Sequence, residues 1–133
     1  MSAYLLDSNI LSDAIRHPHG PAARAIAQVG EDQICTSIVV AAELRFGAVK
    51  SGSRRIAERL EAVLATLKIH PFDAPADAIY ALLRAKLERE GRRIGANDLL
   101  IAAHALSLGA TLVTANVREF ERVDGLPIEN WLG

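Results

Sequence analysis

The sequence predicts an α/β fold: a central, mainly parallel sheet of four or five strands with helices on both faces, in three layers. Two observations carry this. Short apolar runs alternate with helical stretches along the whole chain, and glycine or proline punctuates the junctions between them. Strands that alternate with helices imply a parallel sheet built by right-handed crossovers and covered on both sides.

The elements follow in order. Residues 3–6, Ala-Tyr-Leu-Leu, read as a short buried strand, and residues 10–15 as a brief helix stopped by His17-Pro18-His19-Gly20-Pro21. Pro21 starts the next helix, which runs through Val29 and ends at Gly30. Residues 33–35 form a second strand candidate. Thr36 or Ser37 then caps a helix to about Val49, and Ser51-Gly52-Ser53 breaks and restarts the pattern. Between 53 and 67, Ile56, Leu60, Val63, Leu64 and Leu67 share one face of an amphipathic helix. Residues 68–72 resemble a third strand, and 75–90 another helix with Ile79, Leu82, Leu83 and Leu87 inward, ended by Gly91. Asn97 or Asp98 opens a helix that runs to Leu108 and stops at Gly109. Residues 111–113 are the fourth strand, and 126–131 add a short edge strand.

At 133 residues the chain reads as one domain over 1–133, long enough to bury a substantial core. Its formal net charge of −1 argues against holding nucleic acid by bulk electrostatics, although a local basic patch remains able to bind phosphates. A single cysteine, Cys35, cannot form an internal disulfide and fits a reducing compartment as a small strand residue. There is no basic segment followed by a sustained apolar one near Met1, and residues 99–113 are too short and too polar to span a bilayer. A soluble, cytoplasmic protein is expected.

Ligands in open α/β sheets bind beyond the carboxyl ends of the strands. Asp7 and Asn116 both occupy such positions. Alone, Asp7 reads best as a turn residue and Asp98 equally well as a helix cap. Glu43 differs in kind: it lies in Ile38-Val39-Val40-Ala41-Ala42-Glu43-Leu44, where burial is expected and an unpaired buried carboxylate is costly. A cation shared with another acid explains it more economically than the adjacent Arg45 does. Asp7, Glu43 and Asp98 with Asn116 or Glu119 supply the hard oxygen donors that Mg²⁺ requires. Ser8 and Thr114 are candidates for hydrogen-bonding those carboxylates. Such an ion activates water against a phosphate ester. Arg45, Arg92 and Arg93 are candidate phosphate contacts, with Lys50 weaker, although a solvated helix face is the default for such charges.

Other chemistries find less support. No close His pair falls on one helix for zinc, His17 and His19 lie in a proline-broken loop, and His104 either packs or faces solvent. Gly-rich phosphate cradles and a Ser-His-acid arrangement are both lacking. Trp131 is a core filler or an interface residue.

Four segments together resemble the successive motifs of PIN-domain ribonucleases, and most of all the VapC-type toxins of bacterial toxin–antitoxin pairs. They are Leu5-Leu6-Asp7-Ser8-Asn9, Ala42-Glu43-Leu44-Arg45-Phe46-Gly47, the run from Asn97-Asp98-Leu99 to Ala105, and that from Leu112-Val113-Thr114 through Asn116 and Glu119 to Phe120. The resemblance covers essentially the whole chain and implies a PIN-like three-layer sandwich. It makes Asp7, Glu43 and Asp98 the metal-binding acids, with Mg²⁺ or Mn²⁺, RNA cleavage, a homodimer and an inhibitory antitoxin. Many members carry Asp where this chain has Asn116, so the fourth charge falls to Glu119 or is missing. Alternatives are a housekeeping RNA-processing nuclease, an aspartyl-phosphate phosphatase, a receiver-like Mg²⁺-binding signalling module and a bare interaction domain. Asn9 counts against the phosphatase, which wants an acid there, and the lack of a lysine after Val113 counts against the receiver.

Overall fold

A computed structural model of the chain describes residues 3–133. Its strands are β1 (Tyr4–Leu6), β2 (Ile34–Ser37), β3 (Lys68–His70), β4 (Thr111–Val113) and β5 (Ile128–Glu129). They form one sheet in the order β3-β2-β1-β4-β5, and every pairing is parallel. Between them run α1 (Ser8–Arg16), α2 (Pro21–Val29), α3 (Ile38–Ser51), α4 (Arg54–Leu64), α5 (Ala76–Arg89), α6 (Ala96–Leu108) and the short α7 (Val117–Phe120). Helices α1 to α4 pack on one another and α5 packs on α6. Right-handed crossovers place these two groups on opposite faces of the sheet, giving the three layers.

The strand order puts β1 between β2 and β4, so the chain leaves β1 to one side and returns on the other. The crevice at the ends of β1 and β4 is where an open α/β sheet binds ligands. Register fixes its contents: Leu6 pairs with Val113, so Asp7 and Thr114 emerge side by side. Leu5, Leu6, Leu112 and Val113 are fully buried beneath them, packed with Ile10, Ile101 and Phe120.

Several boundaries differ from the sequence reading. Strand β2 begins at Ile34 rather than residue 33 and extends to Ser37, because Glu31–Gln33 are spent in a 3-10 turn. All four β2 residues are buried, Cys35 among them, and Ser37 caps α3 by accepting from the Val39 N–H at 3.0 Å. Helix α4 stops at Leu64, with Leu60 and Leu64 inward and Ile56 exposed at its start. Leu82 was expected to face inward, but it is 75% exposed, since α5 turns Leu83 and Leu87 to the core instead. Neither Asn97 nor Asp98 caps α6. Gly95 holds the cap position without a side-chain bond, and the αL glycine Gly109 (φ 63°) ends the helix. Helix α7, missing from the sequence reading, is a single turn, too short to produce a periodic pattern. Trp131 closes the β5 edge, with its ring 5.3 Å from that of Tyr4 and its Nε1–H donating to Glu129 at 3.0 Å.

Candidate active site

Each candidate acid reaches the rim of the sheet by a different element. Asp7 leaves β1 and is only 3% exposed. Its two oxygens are held separately: Oδ1 accepts from the Ser8 N–H at 2.8 Å and Oδ2 from the Thr114 hydroxyl at 2.7 Å. Thr114 in turn accepts from the Asn116 N–H at 3.0 Å, and the Ala115 N–H donates to Asn9 Oδ1 at 3.1 Å. The loops after β1 and β4 are thus laced together around Asp7. Burial pushes the Asp7 carboxyl above its ordinary range, and the bonds from Thr114 and Ser8 only partly offset that.

Glu43, in the second turn of α3, was expected to be buried; it is half-buried. The apolar residues of α3 run around the helix, so Val40, Ala41 and Ala48 face the core while Ile38, Phe46 and Val49 face solvent. Glu43 Oε2 accepts from Asn97 Nδ2 at 3.2 Å, but Oε1 is buried with no hydrogen-bond partner. Burial raises this carboxyl too, and the charge of Asp7 adds to the effect. The Ser8 side chain is near enough to Asp7 and Glu43 to pull both carboxyls down slightly.

Asp98 lies in the first turn of α6. Burial, a hydrogen bond with Glu119, and the charges of Glu119, Asp7 and Glu43 push it up to about 8. Glu119, on α7, is held low by the same bond and by the Gly95 N–H, 3.2 Å from its Oε1. The opposite shifts describe two carboxylates that titrate as a pair and share one proton. Asn116 bridges them, with Nδ2 at 3.5 Å from Asp98 and 3.1 Å from Glu119. Its amide nitrogen, not its oxygen, faces the acids, which makes Glu119 the fourth negative group at this rim.

Asp7, Glu43, Asp98 and Glu119 therefore converge closely enough to perturb one another. Among the described residues none of the four takes part in an ion pair. Nor are any three His, Cys, Asp or Glu side chains there gathered into a ready ligating geometry. Asp98 is instead turned to Glu119 and Asn116, and Glu43 Oε2 to Asn97. The donor set, all hard oxygen and with one buried oxygen unsatisfied, fits a divalent cation such as Mg²⁺.

The basic candidates divide. Arg45 grips Glu61 through two nitrogens at 3.0 and 3.1 Å, and Arg92 lies 3.6 Å from Glu90 and 3.9 Å from Asp124. Arg93 is exposed and its charge lies beside Glu88 of α5, in a hollow with Tyr80 and Arg84 rather than among the acids. Sequence reasoning missed Asn97 and Asn9 as site residues. Each sits beside a named acid, and their partners, Glu43 and Ala115, lie 54 and 106 positions away, beyond any local pattern.

Comparison with known proteins agrees with this geometry. Residues 4–126 match the model of the PIN domain. The chain is 41% identical over 130 residues to ribonuclease VapC2 of Rickettsia felis, covering 96% of this chain and 97% of that protein. It is 38% identical to the tRNA(fMet)-specific endonuclease VapC of Shigella flexneri, covering 98% and 99%. Among solved structures, VapBC2 of Rickettsia felis bound to a DNA fragment from its promoter superposes with a TM-score of 0.88 at 38% identity, covering 97% of this chain and 98% of that one. With a five-stranded parallel sheet, acids gathered at its β1/β4 switch point and relatives matched nearly end to end, the chain belongs to the PIN-domain family, in its VapC ribonuclease branch.

Proposed function

We propose that the protein is an endoribonuclease toxin of a toxin–antitoxin pair, hydrolysing RNA phosphodiesters at the acidic rim with Mg²⁺, or Mn²⁺ in its place. The observation that carries the reading is the convergence of four carboxylates without a counter-cation, one of them with a buried oxygen that nothing satisfies. Asp7, Glu43 and Asp98 are the residues that would hold the ion, with Glu119 as the fourth acid. When bound, a divalent ion supplies an activated water and neutralises charge developing on the phosphate.

The chain's own residues do the rest. Thr114 and the Ser8 N–H fix both oxygens of Asp7, so the carboxylate keeps one orientation despite its burial. Asn97 turns Glu43 so that Oε1 faces inward. The proton shared by Asp98 and Glu119 must leave for both carboxylates to serve a cation. Among the described residues, Arg93 forms no ion pair that it would have to give up to meet a backbone phosphate, whereas Arg45 and Arg92 must first give up surface ion pairs, which are individually weak.

RNA as substrate and an antitoxin as partner are supported by the relatives' names and by the VapBC complexes among the similar structures. A homodimer is what the family resemblance implies, and Ile38, Phe46 and Val49 leave apolar surface on α3 for a partner. A single domain in the cytoplasm is consistent with a continuous core and with the lack, among the described residues, of a helix long and apolar enough to cross a membrane.

The direct test is cleavage of an RNA panel that includes initiator tRNA, with and without EDTA. Cleavage is expected to stop on chelation and return with Mg²⁺ or Mn²⁺; cleavage indifferent to EDTA would overturn the proposal. Thr114→Val keeps the side-chain shape and removes the donor to Asp7. Its Mn²⁺ affinity, read by titration calorimetry, is expected to fall about ten- to hundredfold.

A further inference from the structure

Asp98 has little to hold it in place. Its polar contacts are the shared proton with Glu119 and a long 3.5 Å approach from Asn116, both at the open rim. Helix α6 must therefore be fixed elsewhere, and a buried polar junction six residues further along does this. His104, 1% exposed, places Nδ1 2.7 Å from the hydroxyl of the fully buried Ser37. Ser37 is the cap of α3, the helix that carries Glu43.

Ser37 Oγ accepts the Val39 N–H and, with its proton and a second lone pair left, pairs with His104 Nδ1. The Pro71 carbonyl, in the loop after β3, accepts a further hydrogen bond from the ring. Phe72, in the same loop, meets the imidazole edge-on with centroids 5.3 Å apart. One ring thus joins α6, the start of α3 and the β3–α5 loop. Among the described residues, the other side-chain hydrogen bond between helices α3 and α6 is that from Asn97 to Glu43 at the exposed mouth. Neighbouring Thr36 continues the lacing by donating to the Leu6 carbonyl at 2.7 Å, directly before Asp7.

We propose that His104 is a positioning residue: by binding Ser37 and Pro71 at once, it sets the spacing between the helix of Asp98 and the helix of Glu43 at which both acids serve one divalent cation. The inference rests on the metal-site reading above. It assigns His104 no contact with substrate or metal.

The test uses the whole chain, with Mn²⁺ alone as the probe. Binding is read by the loss of the free-ion electron paramagnetic resonance signal, beside the Mg²⁺ concentration that half-activates cleavage. His104→Leu removes both ring hydrogen bonds, whereas His104→Gln keeps a donor and an acceptor. The leucine variant is expected to bind Mn²⁺ about tenfold or more weakly and to need correspondingly more Mg²⁺. Its kcat at saturating Mg²⁺ should stay within about threefold of the wild type, because the reacting groups are untouched. The glutamine variant is expected to recover most of the affinity. If the leucine variant does not fold by circular dichroism, Ser37→Ala removes the same bond from the other partner and is read in its place. Wild-type affinity in the variant lacking the bond would overturn the proposal, and so would equal weakness of His104→Gln and His104→Leu. A wild-type chain that binds no Mn²⁺ would instead overturn the metal-site reading itself.

Discussion

Asp98→Asn is expected to reduce RNA cleavage by at least about a thousandfold while raising the melting temperature of the metal-free protein at neutral pH. Losing a ligand carboxylate removes several kcal/mol of stabilisation of the developing charge, and each ~1.4 kcal/mol is a factor of ten in rate. The fold has the opposite interest. Asp98 is pushed up to about 8 by burial and by three neighbouring acids, and holds a proton toward Glu119. An amide at position 98 donates to Glu119 as that proton does and brings no charge. Asp7→Asn should inactivate equally but destabilise. Both oxygens of Asp7 already accept, from the Ser8 N–H and the Thr114 hydroxyl, so an amide nitrogen would face a donor at a cost of about 1–3 kcal/mol. Melting curves of the two variants in EDTA at pH 7 check this. A fall in melting temperature for Asp98→Asn as large as that for Asp7→Asn would show that repulsion at the rim is not what the fold resists.

The second large effect is on stability as a function of pH and metal. Asp7, Glu43 and Asp98 all have carboxyls raised in the folded protein, so between the ordinary carboxylate range near 4 and about 8 the folded chain binds more protons than the unfolded chain. Stability contributed by these groups is present at low pH and is lost as pH rises through that window. Glu119 runs the other way, since its carboxyl is lowered and its contribution is lost as pH falls. Because Asp98 and Glu119 share a single proton, the raised groups outnumber it. Metal-free protein is therefore expected to lose melting temperature from about pH 5 to pH 8. Mg²⁺ at a hundredfold excess over its Kd should restore about 2.7 kcal/mol, a shift of several degrees. A metal response equal at pH 5 and pH 8 would contradict the linkage, since at pH 5 the ion must displace protons that at pH 8 have largely gone.

How far the chain could be read in advance depended on where its punctuation lies. Helix α2 and strand β4 fall at the residues expected because Pro21, Gly30 and Gly109 mark their ends in sequence. Strand β2 shifted because the polar residues at 31–33 fold as a turn, and its buried Thr36 and Ser37 look like loop residues until their partners, Leu6 and His104, are seen. The exposure of Leu82 and Phe46 was illegible because an apolar residue reads as core wherever it falls on a helix.

The same distinction governs the site. Asp7 was legible from its place after an apolar strand, and Asp98 from its place at a helix start. That Gly95, not Asp98, occupies the cap position is a matter of backbone geometry, and it frees the carboxylate for other work. That Glu119 lies beside Asn116 at the rim was not legible in sequence, because it depends on the single turn of α7 that swings Glu119 back to Gly95. The roles of Asn97 and His104 depend on contacts 54 and 67 positions distant.

The most direct measurement of the central claim is an anomalous difference map from crystals of the wild-type protein grown in Mn²⁺. A peak enclosed by the carboxylates of Asp7, Glu43 and Asp98, with the Asp98–Glu119 hydrogen bond opened, is the predicted result. A map without a peak at that rim, in crystals whose Asp98 still bonds Glu119 and whose RNA-cleaving activity is intact, would contradict it.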